Sequence, residues 1–159
     1  MATLHLMVGL PGSGKTTCAK QLEKEYHALR FTTDEWHIHL YGHDFYNDPS
    51  KDEEHNIHHA KVEALIWEVA KKALLLDINV ILDFGCWAKE ERDDLRQRAH
   101  ELGADFKIHY MPASKETLLK NLEKRHQEQD ENSFYINKAS IDKWYDLFEV
   151  PTKEELEES

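Results

Sequence analysis

Eight consecutive residues, from Gly9 to Thr16, have the types and spacing needed to hold a chain of phosphates. They read Gly-Leu-Pro-Gly-Ser-Gly-Lys-Thr and fit the pattern G-x-x-x-x-G-K-[ST]. Glycines let backbone N–H groups point inward without Cβ clashes, and the dipole of a following helix adds positive potential. Lys15 is expected to reach the β and γ phosphates, and the Thr16 hydroxyl to bind Mg²⁺. The predicted nucleotide-binding residues of this segment are Gly9, Leu10, Pro11, Gly12, Ser13, Gly14, Lys15, Thr16 and Thr17.

The elements around this loop are those that a phosphate cradle requires. Residues 4–8 are mostly apolar and predict a buried strand, and residues 15–26 predict a helix with no Gly or Pro inside. A chance glycine-rich turn is the alternative interpretation. The strand, the helix and the Lys-Thr pair together disfavour it, so the sequence indicates a nucleotide-binding protein.

Strands and helices alternate along the rest of the chain. We expect strands at 28–32, 79–83 and 106–111, and helices at 35–40, 54–76, 87–102, 116–127 and 141–148, with a loop over 41–54. This alternation predicts an α/β sandwich with a parallel sheet. We expect one domain over residues 1–150, followed by a frayed acidic tail over residues 151–159.

Two acids close predicted strands at the edge of the sheet where ligands bind. Asp34 follows the second strand and Asp83 ends the third. Right-handed crossovers bring the carboxyl ends of parallel strands to one edge, so both acids are expected beside the phosphate cradle.

Composition and charge limit the function classes. The chain has 159 residues, of which 40% are apolar and 32% charged, with 31 acidic against 20 basic side chains and a formal net charge of −11. This excess of acid disfavours a protein that tracks a nucleic-acid backbone. No apolar run reaches membrane-spanning length, and no signal peptide precedes the first strand, so a cytoplasmic protein is expected. Cys18 and Cys86 are expected to be buried free thiols.

The assembled motifs resemble those of small P-loop kinases. The resemblance rests on Gly9–Thr16, Thr33–Trp36, Val80–Gly85 and the region of Arg125, and it extends to residues 148–152. The closest group is the AAA-type ATP-binding proteins that are predicted kinases. The kinase domain of phage polynucleotide kinase, chloramphenicol phosphotransferase and zeta toxins are more distant. The expected fold is then a P-loop sandwich of four strands in the order 2-3-1-4, with a small helical lid over about residues 125–140.

The resemblance also implies roles for three residues. Asp34 matches the general base that accepts the acceptor hydroxyl's proton, although an N-cap for the following helix is an alternative. Asp83 matches a second acid that contacts Mg²⁺-bound water or the substrate, although it can instead cap a turn before Gly85. Arg125 matches the first lid arginine, a planar cation that stabilises the transferred phosphoryl group.

The chain also departs from the family pattern. His37 stands where the polynucleotide kinase has a phosphate-binding arginine, which weighs against a nucleic-acid substrate. A second lid arginine is missing, and only His126, Lys138 and Lys143 are available in its place. Arg92 matches a family arginine on the helix after strand three, with surface solvation as the alternative. The predicted substrate-contacting residues are Asp34, Trp36, His37, Asp83 and Arg92.

Histidines and aromatic residues cluster in the middle of the chain. His55 and His59 are spaced as in a helical zinc site, but the intervening glutamate of H-E-x-x-H is absent, so a solvated helix end at His55, His58 and His59 is the favoured interpretation. His37, His39 and His43 fall in the region expected to face the acceptor. Trp36, Tyr41, Phe45 and Tyr46 are able either to stack on an acceptor ring or to pack a lid-like loop. The acids nearby favour a neutral or cationic acceptor.

The sequence therefore predicts a kinase that uses ATP and Mg²⁺ and transfers the γ-phosphoryl group to a hydroxyl of a small molecule. The catalytic residues are expected to be Lys15, Asp34 and Arg125, with Thr16 and Asp83 at the metal. A nucleotide-binding module or slow ATPase with no phosphorylated acceptor is the alternative, and a kinase of polynucleotide 5′-hydroxyls is a third possibility.

Overall fold

A four-stranded parallel sheet forms the centre of the molecule, and the computed structural model describes residues 1–157. The strands are β1 (Thr3–Val8), β2 (Leu29–Thr32), β3 (Val80–Gly85) and β4 (Asp105–Tyr110). Their order is β2-β3-β1-β4, which confirms the predicted topology. The central strand β1 pairs with β3 and β4, and its apolar run is buried on both faces, as expected for a covered parallel sheet.

Within residues 1–157, seven helices flank the sheet. They are α1 (Lys15–Glu25), α2 (Thr33–Tyr41), α3 (Asp52–Leu75), α4 (Lys89–Glu101), α5 (Lys115–Gln127), α6 (Lys138–Leu147) and α7 (Lys153–Glu157), and a 3₁₀ turn, Pro49–Lys51, precedes α3. On one face of the sheet, α3 and α4 bury apolar residues such as Ile66 and Leu95 against the strands. On the other face, α1 packs through Ala19 and Leu22. Between residues 1 and 157, no helix is both long and apolar enough to cross a membrane.

Helices α5 and α6 form a third apolar cluster beside the phosphate loop. Leu118 and Leu122 of α5 and Ile141 of α6 pack on Leu10. The Ser114 side chain caps α5 by accepting a hydrogen bond from the Thr117 N–H, at 3.2 Å. This cluster fixes the far wall of the loop and brings the end of α5, with Arg125, over the sheet edge.

The segment after Pro151 differs from the expected frayed tail. It forms α7, and Glu155 of this helix is 1% exposed. Its carboxylate accepts hydrogen bonds from Arg92 Nε at 2.8 Å and from the Thr152 N–H at 2.7 Å. Burial raises the pKa of Glu155, but the hydrogen bonds from Arg92 and from the Thr152 N–H, together with the charge of Arg92, outweigh burial and hold the pKa below its ordinary value. The tail is therefore ordered because it supplies the partner of a buried arginine.

Arg92 accordingly lies in the interior rather than on the surface or at a substrate. Its side chain is fully buried, and its Nη1 donates to the backbone carbonyls of Cys86 and Trp87 at 3.0 and 3.1 Å. The expected substrate contact of Arg92 is not what the structure shows, since no part of the guanidinium is exposed. Arg92 instead ties the segment after β3 to α4 and α7.

Replacing Arg92 by leucine is expected to destabilise the protein by about 3–5 kcal/mol, because the Glu155 carboxylate is left buried without its partner. Chemical denaturation monitored by circular dichroism measures this loss. Arg98→Leu on the same helix is the matched control, since Arg98 is 43% exposed and pairs with an exposed Asp94. The control should cost less than about 1 kcal/mol. Equal stability losses in the two variants would contradict the buried ion pair.

Candidate active site

The loop between β1 and α1 has the backbone geometry of a phosphate cradle. Gly12 and Gly14 both have φ of 88°, in the left-handed region that side chains disfavour. A Cβ on Gly12 would lie 2.8 Å from the Leu118 carbonyl oxygen, so α5 leaves no room for one. The Gly9 N–H donates to the Gly85 carbonyl at 3.0 Å and anchors the loop to the end of β3. The loop is thus held between β3 and α5.

The N-terminus of α1 is available to an anion. Its N-cap is Gly14, which has no side chain to accept the first N–H groups of the helix. These donors and the positive end of the helix dipole face the same space. The sequence prediction that the helix terminus completes the cradle agrees with this geometry.

The Asp83 carboxyl group lies at the base of the cradle and is completely buried. Its Oδ2 accepts hydrogen bonds from Thr16 Oγ1 at 2.6 Å and from Thr32 Oγ1 at 3.0 Å. Its Oδ1 lies 3.9 Å from Lys15 Nζ and has no hydrogen-bond partner within the described part of the chain. A carboxyl oxygen without a partner next to a threonine hydroxyl is the donor set that suits Mg²⁺ and its water ligands. The residues present therefore fit the magnesium site that the loop motif implies.

A cavity of about 190 Å³, here the phosphate cavity, lies above this group. Its cations come from three places: Lys15 on the loop, Lys20 on α1 and Arg125 at the end of α5. The remaining lining residues are Pro11, Thr16, Thr17, Thr32, Thr33, Asp34, Glu35, Asp83, Phe84, Asp130, Asn132 and Ser133. Lys15 and Arg125 are more than a hundred residues apart in the sequence, yet both line this one small cavity.

A second cavity, of about 560 Å³, adjoins the first and is here the aromatic cavity. Its aromatic lining consists of Phe45, Phe84, Trp87, Phe134 and Trp144, and its acids are Asp34, Asp52, Glu63 and Glu91. Burial and the charge of Glu63 raise the pKa of Glu91. Lys143 and the histidines His55 and His59 also line it. The cavity suits a ligand with a flat or apolar face and no net negative charge.

Asp34 lies where the two cavities meet. It lines both of them, as do Lys15, Pro11 and Phe84. Helix α2 begins at Thr33 with Thr32 as its N-cap, so Asp34 stands in the first turn and is not the cap. Its carboxylate has no hydrogen-bond or ion-pair partner among residues 1–157. The N-cap alternative for Asp34 is therefore wrong, and its side chain is open to both cavities.

Two other predicted substrate residues lie outside the aromatic cavity. Trp36 packs on Phe31 with ring centroids 5.8 Å apart and lines a groove of about 890 Å³ that holds no residue of the phosphate loop. His37 is fully buried. Trp36 follows Asp34 by two positions and so points to another side of α2, whereas His37 follows it by three positions, lies on the same side and is covered by His59 and Phe134. Neither Trp36 nor His37 lines the aromatic cavity.

His37 instead forms the centre of a histidine cluster, defined here as His37, His55, His58 and His59 together with Asp44. The expectation of a solvated helix end at residues 55–59 is wrong, since these imidazoles turn inward. Asp44 faces His37 Nε2, His55 Nδ1 and His58 Nδ1 at 2.7, 2.6 and 2.8 Å. Burial raises the pKa of Asp44, but the hydrogen bonds from His58, His55 and His37 lower it to about 2.

The pKa values of two histidines in the cluster are shifted in opposite directions. Burial lowers the pKa of His37, although Asp44 opposes this effect. Burial also lowers the pKa of His59, but hydrogen bonding to Glu63 and the charge of Glu63 outweigh it, and the net pKa is raised. The cluster is thus a polar network packed between α2 and α3, with Phe134 in edge contact with His37 and His55.

Sequence reasoning missed several residues of the aromatic cavity. Trp87 and Trp144 are separated by most of α4, β4 and α5, yet their ring centroids lie 5.2 Å apart. Phe134 lies on the loop before α6, and Asn47 attaches this loop to the one between α2 and α3. The Asn47 Nδ2 donates a hydrogen bond to the Tyr135 carbonyl, and the Asn47 Oδ1 accepts one from the Asn137 N–H, both at 2.9 Å. Among these missed residues only Trp87 had a signal in the sequence, since it lies two residues after the end of β3. The two thiols are free, with Cys86 buried and Cys18 half-buried rather than buried.

A family model described as an AAA domain matches residues 4–151. The chain belongs to this family. The match extends from β1 through the phosphate loop to the end of α6. The fold is that of a P-loop kinase, which confirms the prediction from the motifs. Comparison with curated proteins gives no match.

Solved structures show the same fold at low identity. A candidate kinase from Chloroflexus aurantiacus j-10-fl matches with a TM-score of 0.74 and 13% identity, over 95% of this chain and 82% of that one. A gluconokinase from Sinorhizobium meliloti 1021 matches with a TM-score of 0.63 and 15% identity, over 96% and 78%. A chain of the Pnkp1/Rnl/Hen1 RNA repair complex matches with a TM-score of 0.73 and 23% identity, over 92% of this chain but only 43% of that one. This chain therefore spans less than half the length of the matching chain of the RNA repair complex.

Replacing Gly12 by alanine is expected to weaken ADP binding and to destabilise the protein by about 1–3 kcal/mol. The reason is that a residue with a Cβ is strained in the left-handed backbone conformation of Gly12, and this Cβ would clash with the Leu118 carbonyl oxygen. Calorimetric titration and thermal unfolding measure the two effects. Gly103→Ala is the matched control, since Gly103 has φ of 72° but nothing within 4 Å of the added Cβ. A Gly12 variant with the ADP affinity of the control would show that α5 does not shape the cradle.

Proposed function

We propose that this protein is a kinase that uses ATP and Mg²⁺ and transfers the γ-phosphoryl group to a hydroxyl of a small-molecule acceptor. The observation that carries the proposal is the position of Asp34, which faces the phosphate cavity and the aromatic cavity at once. A protein that only binds or hydrolyses a nucleotide needs no carboxylate between the nucleotide and a second cavity. The family and the kinase-like fold support the same conclusion.

The phosphate chain of ATP would bind along the loop. Backbone N–H groups of the loop and of the first turn of α1 hydrogen-bond the phosphate oxygens, and Lys15 supplies a point charge to the β and γ phosphates. Thr16 and Asp83 would hold Mg²⁺, which neutralises charge on the β and γ oxygens when bound. Arg125, which faces the same cavity, is placed to stabilise the γ-phosphoryl group as charge spreads over its oxygens.

The acceptor would bind in the aromatic cavity with its hydroxyl toward Asp34. The Asp34 carboxylate accepts the hydroxyl proton while the hydroxyl oxygen forms a bond to the γ phosphorus. The bond from that phosphorus to the oxygen bridging the β phosphate breaks, and ADP leaves. Such a site works through positioning and electrostatics, so the loss of the base removes a proton acceptor without disturbing the nucleotide.

The lining of the aromatic cavity indicates which acceptors fit. Its four acids, Asp34, Asp52, Glu63 and Glu91, disfavour an anionic ligand, and its five aromatic rings favour a ligand with a flat or apolar face. A nucleoside, a polyol or an amino sugar meets these conditions. A polynucleotide meets them poorly, but the likeness to a chain of an RNA repair complex makes 5′-hydroxyl oligonucleotides a necessary part of the test. A cytoplasmic location belongs to the same proposal.

Asp34→Asn is expected to lower phosphoryl transfer by about 10²–10⁴-fold while ADP affinity stays within twofold of the unmodified protein, because the amide cannot accept the proton. The assay incubates protein, Mg²⁺ and γ-labelled ATP with pools of nucleosides, sugars, aminoglycosides and 5′-hydroxyl oligonucleotides. Asp94→Asn, at an exposed position of α4, is the matched control and should keep full activity.

Each outcome of the screen separates two functions. Labelled small-molecule product that disappears only in Asp34→Asn supports the kinase. Labelled oligonucleotide would instead establish a polynucleotide kinase. Label released only as inorganic phosphate, at the same rate in both variants, would establish an ATPase or nucleotide-gated module and overturn the proposal.

A further inference from the structure

The histidine cluster places two imidazole nitrogens face to face. His37 Nδ1 and His59 Nδ1 face each other at 3.3 Å. The second nitrogen of each ring faces a carboxylate: His37 Nε2 faces Asp44 at 2.7 Å, and His59 Nε2 faces Glu63 at 3.3 Å. A carboxylate accepts hydrogen bonds, so these outer nitrogens carry protons. In neutral rings both inner nitrogens then present lone pairs to each other, so this contact needs either a proton or a metal ion between the two nitrogens.

His55 completes a set of three around the same point. Its Nδ1 donates to Asp44 at 2.6 Å, which leaves Nε2 as its free nitrogen. His37, His55 and His59 each offer one ligand atom, and these atoms all lie within 4.8 Å of one another. In all three rings, therefore, a carboxylate orients one nitrogen and the other nitrogen is available to a metal ion. Metal-bound histidines in proteins are commonly held in this way, because the carboxylate fixes the tautomer and the orientation of the ring.

We propose that His37, His55 and His59 bind a divalent transition-metal ion, with Zn²⁺ as the best match. A tetrahedral ion with Zn–N bonds of about 2.0–2.1 Å places its nitrogen ligands about 3.3 Å apart. The His37 and His59 nitrogens have this separation. Imidazole nitrogen is a ligand for zinc, copper or nickel, whereas Mg²⁺ prefers oxygen. The ligand nitrogen of His55 lies within 4.8 Å of those of both His37 and His59.

The other possible ligand set in the cluster fits less well. His37, Asp44 and His58 also lie within reach of one another. The contacts of Asp44 with His37 and His58, at 2.7 and 2.8 Å, are hydrogen-bond lengths and are shorter than the ligand separation in a tetrahedral site. The His37 and His58 nitrogens therefore donate N–H hydrogen bonds to Asp44 and are not free to bind a metal ion together with it. Asp44 therefore orients two of the ligands from outside and is not itself a ligand.

The proposed ion has three protein ligands and an open fourth position. His55 and His59 line the aromatic cavity, so the open position faces the space beside Asp34 and can take water or a heteroatom of a ligand there. Three ligands with one open position distinguish reactive zinc sites from structural ones. The metal site does not depend on the proposed kinase activity, because His37, His55 and His59 lie outside the phosphate cavity.

The test measures metal binding directly. Protein without a polyhistidine tag is stripped with chelator, and Zn²⁺ and Co²⁺ are titrated by calorimetry and by the visible absorption of Co²⁺. One ion per chain is expected, and excess Mg²⁺ should not displace it. His55→Ala and His59→Ala should each weaken Zn²⁺ binding by more than about 100-fold, and Glu63→Gln, which leaves the three ligands in place, by about 10–100-fold.

Two variants serve as controls. His100→Ala removes an exposed histidine of α4 and should leave Zn²⁺ affinity unchanged. His58→Ala, which removes a member of the rejected ligand set, should weaken binding by less than tenfold. Circular dichroism verifies that each variant is folded. Stoichiometric binding that survives in both His55→Ala and His59→Ala, or that is lost in His58→Ala alone, would overturn the assignment, as would the absence of one-to-one binding in the unmodified protein.

Discussion

The site depends on one buried carboxyl group at the carboxyl end of β3. Asp83 connects the start of α1 through Thr16, the end of β2 through Thr32 and the phosphate loop through Lys15. A buried polar group of this kind costs free energy unless its partners are in place, so the three elements must meet at this point when the chain folds. The same requirement sets the position of Asp34, which lies two residues after Thr32. The aromatic cavity is thereby fixed relative to the phosphate cavity.

A second constraint comes from the segments that close the aromatic cavity. Asn47 binds the backbone of the loop before α6, and Phe134 of that loop packs edge-on against His37 and His55. The histidine cluster and the loop therefore support each other, because the imidazoles are shielded from water by the aromatic ring and the ring is seated on the imidazoles. At the opposite wall, Arg92 holds the carbonyls of Cys86 and Trp87 and so sets the direction of the Trp87 side chain. Both walls are built by residues that do not line the phosphate cavity.

Local patterns were sufficient to predict the fold and the phosphate side of the site. The loop from Gly9 to Thr16, the apolar strands and the acids after two of them are local features, and parallel-sheet geometry brings their carboxyl ends together. The substrate role expected of Arg92 follows from a family match, and those of Trp36 and His37 follow from their place after Asp34 in the region expected to face the acceptor, but side-chain direction depends on tertiary partners. Glu155 and Asp44 are those partners for Arg92 and His37, and they lie 63 and 7 residues away in the chain. No periodicity encodes such pairings, so the buried roles could not be predicted.

Formal charge alone does not separate the two halves of the site in this acidic protein. The phosphate cavity is lined by three cations, Lys15, Lys20 and Arg125, but also by four acids, Asp34, Glu35, Asp83 and Asp130. The aromatic cavity is lined by four acids and by two lysines, Lys15 and Lys143. The difference lies in the direction of the polar groups, because the first N–H groups and the positive dipole end of α1 face the phosphate cavity, and its Asp83 already accepts hydrogen bonds from Thr16 and Thr32. The aromatic cavity instead presents rings, acids and imidazoles, so it suits a ligand whose chemistry differs from that of a phosphate chain.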